Sequence, residues 1–313
     1  ALAGSLVAMS AQAEVTLSGG ASVAIGKTHD TDKAYYYQND SINITYSGET
    51  DGGLTVTTKL ELDGDNGGGS YDSRSVAIGS DGMGTVTYSA HGGSSVMSGW
   101  DDVMPTAYEE VFALTKNQSD AATSAGNLTI AGFAGNGLWR YDSPSVSGVS
   151  VHAAYQAANA TGQVSSYSDM GIQIAPEAID GLSIGASYNE FDNAGDDAPE
   201  QTPESGAYYA TYAFGNFTVG YSRAYKAMLL DDDEHTTAAT ADYYDQTNKS
   251  IAMAVNDDLS ISYEVEESTK NAVGAATADV TQKSSAVQLA YNMGGMTVAV
   301  SRATHDNVGY STS

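Results

Sequence analysis

The chain contains no cysteine, which excludes disulfide staples and thiolate metal sites. Prolines number 5, phenylalanines 5 and tryptophans 2 among 313 residues. Lysine and arginine together reach only 12 against 39 acidic residues, giving a net charge of -27. Repulsion from phosphate, with no basic patch to offset it, excludes nucleic acid as a partner. No apolar run approaches the roughly 20 residues that a membrane-spanning helix needs. The histidines His29, His91, His152, His235 and His305 are scattered along the chain. No pair of them has metal-ligand or catalytic spacing, so no catalytic residue is assigned and no enzyme is expected.

Glycine (34) and tyrosine (21) are plentiful instead. The first thirteen residues, ALAGSLVAMSAQA, read as the end of a secretory signal peptide with a small-residue cleavage site at Ala11-Gln12-Ala13. The expected division is therefore 1–13 for the signal peptide and 14–313 for the exported chain. From Glu14 onward apolar and polar residues alternate. Val15, Leu17, Gly19, Ala21, Val23 and Ile25 share one face, while Thr16, Ser18, Gly20 and Ser22 share the other. Strict alternation over this length predicts a strand with one apolar and one polar side. The pattern recurs along the chain, for example at Leu54–Leu62, Leu182–Tyr188 and Leu259–Val265.

Two classes of connection take turns. Short ones are GETDGG (48–53), GSDGMG (79–84), SPSVSG (143–148), PEAIDG (176–181), Gly215-Asn216, NDD (256–258) and NMGG (292–295). Their Gly, Asn and Asp residues tolerate the positive φ of tight turns. Long connections fall at 27–39, 63–72, 156–166, 189–206, 226–241 and 267–283, and between strands five and six. This alternation places tight turns at one end of a meander and long loops at the other. The polar face is too rich in Ser, Thr, Asn and Gln for a dry core, and nothing else in the chain covers the apolar face. A barrel with lipid outside and water inside satisfies both faces and leaves no backbone edge. Tyr46, Tyr141, Phe214, Phe217 and Tyr291 beside short turns, and Tyr155, Tyr188, Tyr221 and Tyr263 towards long loops, fit interfacial aromatic girdles.

Seven short turns join fourteen strands, and the run from Glu14 to Gly26 precedes them, which makes fifteen. Bacterial single-chain barrels have an even number of strands. The expectation is therefore a transmembrane antiparallel β-barrel of sixteen strands whose closing strand lies beyond Ser313. An interior that wide holds an aqueous channel.

One stretch, His91 to Gly137, lacks the alternation. It carries Asp101-Asp102 and Glu109-Glu110, separated by a turn at Pro105 and followed by a short helical stretch to Lys116. A loop of this length is functional or disordered. Trp100, Met104, Tyr108, Val111, Phe112 and Leu114 need packing partners, so the loop is expected to fold back into the barrel mouth and control passage through it.

At this point the chain resembles the general porins of Gram-negative outer membranes, above all the alphaproteobacterial, Rhodobacter-type group. The residues that carry the resemblance are Ala11-Gln-Ala-Glu-Val-Thr-Leu-Ser-Gly19, the long loop after the fifth strand, and Trp139-Arg-Tyr-Asp-Ser-Pro144 followed by Gly148-Val-Ser-Val-His-Ala-Ala-Tyr155. The resemblance implies a homotrimer in the outer membrane, in contact with lipid and lipopolysaccharide. Each barrel would be a passive, weakly selective pore for small hydrophilic solutes and ions. It implies a constriction with Asp101, Asp102, Glu109 and Glu110 on the loop, facing Lys59, Arg140 and Arg74 on the wall. Arg74 shares parity with Val76, so it needs a bulge, or a position above the lipid, to reach water. The acid excess predicts weak cation selectivity.

No cofactor is expected beyond a weak structural calcium at Asp63 and Asp65, with Asp231–Asp233 and Glu234 as a second acidic run. Solvated, mutually repelling loop acids are the alternative there. A solute-specific channel is the rival function, but it would need a clear aromatic or basic track. A secreted β-solenoid would need a fixed short repeat, and the turn spacings are uneven.

Overall fold

The structure is a computed structural model that describes residues 14–27, 34–63, 71–100, 103–111, 134–158, 166–192, 203–227, 241–272 and 278–311. The signal-peptide assignment at 1–13 lies outside the described residues. The chain divides into two compact units, one formed by 1–94 and 134–144 and the other by 95–133 and 145–313.

The first unit holds β1 (Glu14–Lys27), β2 (Ala34–Glu49), β3 (Thr55–Asp63), β4 (Tyr71–Ser80) and β5 (Gly84–His91), then the two-residue strands β6 (Gly93–Ser94) and β7 (Ala134–Gly135), and β8 (Leu138–Asp142). Its sheet runs antiparallel in the order β1-β2-β3-β4-β5-β8. β6 pairs separately with β7. This small ladder, with a hydrogen bond between His91 Nδ1 and Asn136 Oδ1, draws together the two strands from which the long loop departs and to which it returns.

The second unit holds β9 (Val149–Gln156), β10 (Ser166–Ile174), β11 (Leu182–Asp192), β12 (Glu204–Phe214), β13 (Phe217–Ala227), β14 (Ala241–Ala254), β15 (Leu259–Ala272), β16 (Val280–Asn292) and β17 (Thr297–Asp306), followed by a 3-10 turn at Val308–Tyr310. These strands also pair antiparallel in chain order. With β6 and β7 set aside, fifteen strands are described, as the alternation predicts. Among the described residues no helix is long and apolar enough to cross a membrane, which says nothing about crossing by strands.

Each short turn falls where the sequence places it. Long connections are another matter. β2 begins at Ala34, and Tyr35 pairs with Gly26 and Tyr37 with Ala24, so much of the expected 27–39 connection is strand. β15 likewise runs on to Ala272, into the expected 267–283 connection, whereas β14 starts at Ala241, where the expected 226–241 connection ends. Strands therefore extend beyond their alternating segments at the long-loop end. There both faces turn polar, and the period-two signal fades although main-chain pairing continues. Of the helical stretch expected after Pro105, residues up to Glu110 are not helical and Val111 is in a 3-10 turn, and the rest of it lies outside the described residues.

Burial in the second unit runs opposite to that of a soluble sheet. Asp169, Asn189, Ser205, Gln246, Glu264 and Gln288 are all buried. On the opposite parity Met170 (65% exposed), Val287 (57%) and Tyr263 (47%) face outward. Apolar residues fall in cross-strand rows such as Ile251–Tyr263–Val287 and Met253–Ile261–Leu289. The strands thus present a continuous apolar surface outward and keep the polar surface covered.

Gly181 ends the turn between β10 and β11 at φ +78°, and a Cβ there would press on the Ala213 carbonyl oxygen. Left-handed backbone costs an L-residue about 1–2 kcal/mol, and the contact adds to that. Gly181→Ala should therefore lower the urea midpoint for unfolding of the folded protein in detergent, read from the mobility difference between folded and unfolded bands. An unchanged midpoint would mean that the turn relaxes freely.

Candidate functional site

The loop leaving β6 lies against the polar face of the second unit. Val96, Met97 and Val111 are fully buried, and Trp100 and Met104 nearly so. Of the loop hydrophobes singled out in the sequence, Tyr108 alone among those described is exposed, while Phe112 and Leu114 lie outside the described residues. Glycines on the wall make room for these side chains. An added Cβ at Gly171 of β10 would come within 2.7 Å of Val96 Cγ1 and 2.9 Å of the Trp100 ring. One at Gly220 of β13 would collide with Pro105 and meet Met104 Sδ at 3.0 Å. Trp100 then meets Tyr209 of β12 edge-on, with centroids 5.4 Å apart.

An irregular segment pressed onto a wall must still satisfy its backbone polar groups. Here wall side chains do so. Met97 N–H donates to Asp169 Oδ2 at 3.0 Å, and that carboxylate also accepts from Tyr167 Oη at 2.9 Å. Tyr167 in turn reaches Ser95 Oγ at 3.0 Å. Asn189 Nδ2 points at Met97 Sδ, 3.0 Å away. Further along, Ala107 N–H donates to Ser262 Oγ at 2.8 Å and Glu109 N–H to Gln288 Oε1 at 3.0 Å. Gln288 Nε2 returns a bond to the Glu109 carbonyl. Val111 N–H donates to Glu264 Oε2 at 2.7 Å, and Asn248 Nδ2 to Glu264 Oε1, also at 2.7 Å. Four wall strands, β10, β11, β15 and β16, thus hold the loop by hydrogen bonds, and β14 braces Glu264 through Asn248.

Of the four acids predicted on the loop, Glu109 is half-buried and Glu110 buried, while Asp101 and Asp102 lie outside the described residues. The wall contributes acids that the sequence reading did not select: Asp169, Glu264 and Glu266, all buried on the polar face. Their even spacing among serines in Ser262-Tyr-Glu-Val-Glu-Glu-Ser268 was the available signal. The basic residues there, Lys226 and Lys270, sit near the long-loop ends of β13 and β15. Tyr310 caps the same end. Its hydroxyl lies 2.8 Å from Ser268 Oγ and its ring 5.2 Å from that of Tyr244. Burial pushes the Tyr310 phenol up to about 12.

The predicted basic residues belong to the first unit. Lys59 stands on the polar face of β3, 3.8 Å from Glu61, which also binds Ser73 and Asn43. Arg140 forks onto Asp142 at 2.9–3.0 Å and reaches the Ser94 carbonyl at 3.3 Å. Arg74 departs from expectation. It pairs in register with Leu60, on the exposed apolar face, with its guanidinium 5.5 Å from the Tyr71 ring centroid. Bulges do occur beside it, at Glu61/Leu62 against β3 and at Arg74/Ser75 against β5. Neither turns Arg74 onto the polar face with Ser73 and Ser75. Asp63 ends β3 opposite Ser41, and Asp65 lies outside the described residues. Among the described residues no group of three or more His, Asp or Glu could hold a metal.

The fold matches solved outer-membrane porins. An engineered form of the porin of Rh. blastica aligns at 17% identity with a TM-score of 0.58, covering 95% of this chain and 96% of the other. OmpF of Salmonella typhi, solved with daunomycin, aligns at 16% identity and 0.64, covering 93% and 89%. The trimer form of Vibrio cholerae OmpT aligns at 13% identity and 0.66, covering 94% and 89%. No curated protein sequence matches the chain. These identities establish the porin β-barrel fold, and the model of the Gram-negative porin family matches residues 1–310. The chain therefore belongs to the Gram-negative porin family, whose members form pores in the outer membrane.

Proposed function

We propose that this porin is a passive, weakly cation-selective channel for small hydrophilic solutes and ions, and that the loop docked on the second unit forms its constriction. The observation that carries this reading is the set of carboxylates on the loop and on the wall strands that hold it. Asp169 and Glu264 on the wall stand with Glu109 and Glu110 on the loop. Lys226 and Lys270 stand near the long-loop ends of β13 and β15, and in the first unit Lys59 and Arg140 already pair with Glu61 and Asp142 on their own strands. The latter two therefore offer a permeating anion less than a free cation would. The buried Gln246 amide and Glu266 Oε2 have no protein partner among the described residues. Such groups would cost about 1–3 kcal/mol each in a dry core, and a hydrated lumen relieves that cost. A homotrimer is part of the proposal, supported by the trimer form of the Vibrio cholerae relative.

Charge in the constriction acts over a screening length of roughly 10 Å at 0.1 M salt and about 3 Å at 1 M. Reversal potentials across a planar bilayer under a KCl gradient should show potassium preferred over chloride at low salt, with the preference fading as salt rises. Neutralising Asp101, Asp102, Glu109 and Glu110 together should reduce the preference while leaving conductance intact. Anion preference at low salt, or no response to the fourfold change, would sink the reading.

The docking bonds give a second test. A hydrogen bond to a carboxylate contributes about 1.5–3 kcal/mol, and a neutral one about 1 kcal/mol. Glu264→Ala with Gln288→Ala removes both kinds. Single-channel records should then show larger current fluctuations and frequent brief closures, while the heat-dependent mobility shift stays that of the folded protein. Quiet, native-like currents would mean that other contacts suffice to hold the loop.

A further inference from the structure

The polar face of the second unit is covered a second time, by the turn that follows β17. Asn307 Nδ2 donates to the Thr281 carbonyl at 2.8 Å and Gly309 N–H to Gln282 Oε1 at 2.9 Å. The Tyr310 hydroxyl lies 2.8 Å from Ser268 Oγ, and its ring packs on Tyr244. Tyr310 itself has left-handed backbone, at φ 57°, which a bulky L-residue avoids. These contacts, rather than the turn's own preference, therefore hold it down.

One row of wall side chains passes beneath it: Ala224, Gln246, Ser268 and Gln282, in register across β13–β16. Ala224 clusters with Met97 of the loop, Ser268 meets Tyr310, and Gln282 holds Gly309. Gln246 stands between these two coverings, 2% exposed, and neither atom of its amide has a partner. Buried polar groups are nearly always bonded, so this amide marks a place for a group that both donates and accepts. One row further out, Tyr244 is flanked in register by Lys226 and Lys270 on the same face. One row further in, Glu266 holds Oε2 buried and without a partner. Lys226 and Glu266 lie on either side of Gln246, each one strand and two residues away. That is about 8 Å between backbones at ~4.8 Å per strand and ~3.4 Å per residue. A cation at the outer end, an amide in the middle and an acceptor at the inner end suit a molecule with one carboxylate and several hydroxyls.

We propose that this diagonal binds a sugar acid and that Tyr310 is its lid. The carboxylate goes to Lys226, with Lys270 beside it, and the hydroxyls go to Gln246 and Glu266. Tyr310 leaves Ser268 and Tyr244 to admit the solute. The loop acids take no part, so this site can fail while the cation preference stands, and the reverse.

The test uses the full folded protein in a planar bilayer, with solute-induced current noise giving a half-saturating concentration. D-glucuronate is the probe, glucose the control without a carboxylate, and acetate the control without hydroxyls. Glucuronate should half-saturate about tenfold lower than either control, the difference that one charge-assisted contact or the amide's bonds would make. Lys226→Met and Gln246→Leu should each weaken glucuronate by about tenfold. Tyr310→Ala should tighten it, because the closing contacts no longer have to break. Lys249→Met removes the same charge from the exposed opposite face and should leave glucuronate binding as it was. Heat-dependent mobility reports that each variant is folded. Equal half-saturation by the three solutes would overturn the proposal, as would an equal loss in Lys249→Met. Weaker binding in Tyr310→Ala would overturn the lid.

Discussion

A backbone N–H or carbonyl that faces hydrocarbon finds no water, so each must bond within the protein. That constraint explains why β1 pairs with β2 residue for residue from Glu14 to Lys27, and why β12 pairs with β13 from Glu204 to Ala227, with no interruption. It also frees the side chains from making a core. With main-chain pairing complete, the outward parity can be apolar for lipid and the covered parity polar. After Tyr167, Met97 and Leu138, the largest fully buried side chains among the described residues are Gln246, Gln282, Gln288 and Glu264, which would be a fault in a soluble domain and is the expected outcome here.

A polar face with no opposing sheet needs either water or protein against it. The loop supplies protein over part of the second unit, and the manner of its docking follows from its irregular backbone. Lacking a ladder of its own, it borrows acceptors from wall side chains: Asp169, Ser262, Glu264 and Gln288. Its hydrophobes have little apolar wall to meet. Much of their contact comes from approach to glycine backbone at Gly171 and Gly220, and from edge-on contact with Tyr209. Glycine on the polar parity therefore has a meaning different from glycine in a turn.

Much of this was legible in the sequence because the signals were periodic. Strand count and seven tight turns follow from alternation and from turn residues, and the packing of the long loop from its hydrophobes. Strand ends were misjudged where Tyr35–Tyr37 and Glu267–Asn271 carry polar groups on both parities, since pairing needs no alternation to continue. The anchors were invisible for a different reason. A serine or glutamine that accepts from the loop has the same parity and chemistry as one that faces water, as Ser262 and Ser150 illustrate. Arg74 was misleading as a wall residue because a bulge can occur beside a side chain without rotating it. By contrast, the Lys59–Glu61 and Arg140–Asp142 pairs lie two residues apart on one face and could have been read from spacing alone.

The two surfaces of the second unit use carboxylates in opposite ways. On the outer face Asp245 and Glu267 sit against Arg223 and Lys283, so charge is cancelled where lipid would penalise it. On the covered face Asp169 and Glu264 accept from backbone N–H groups and from Tyr167 or Asn248. Those partners hold the carboxylates in place without bringing an opposing formal charge. An amide donor therefore fixes the loop without forming an ion pair. An arginine in the same position would have fixed the acid equally well and added a formal charge. Loop geometry and local electrostatics thus depend on the same side chains on this wall, and a substitution that alters one alters the other.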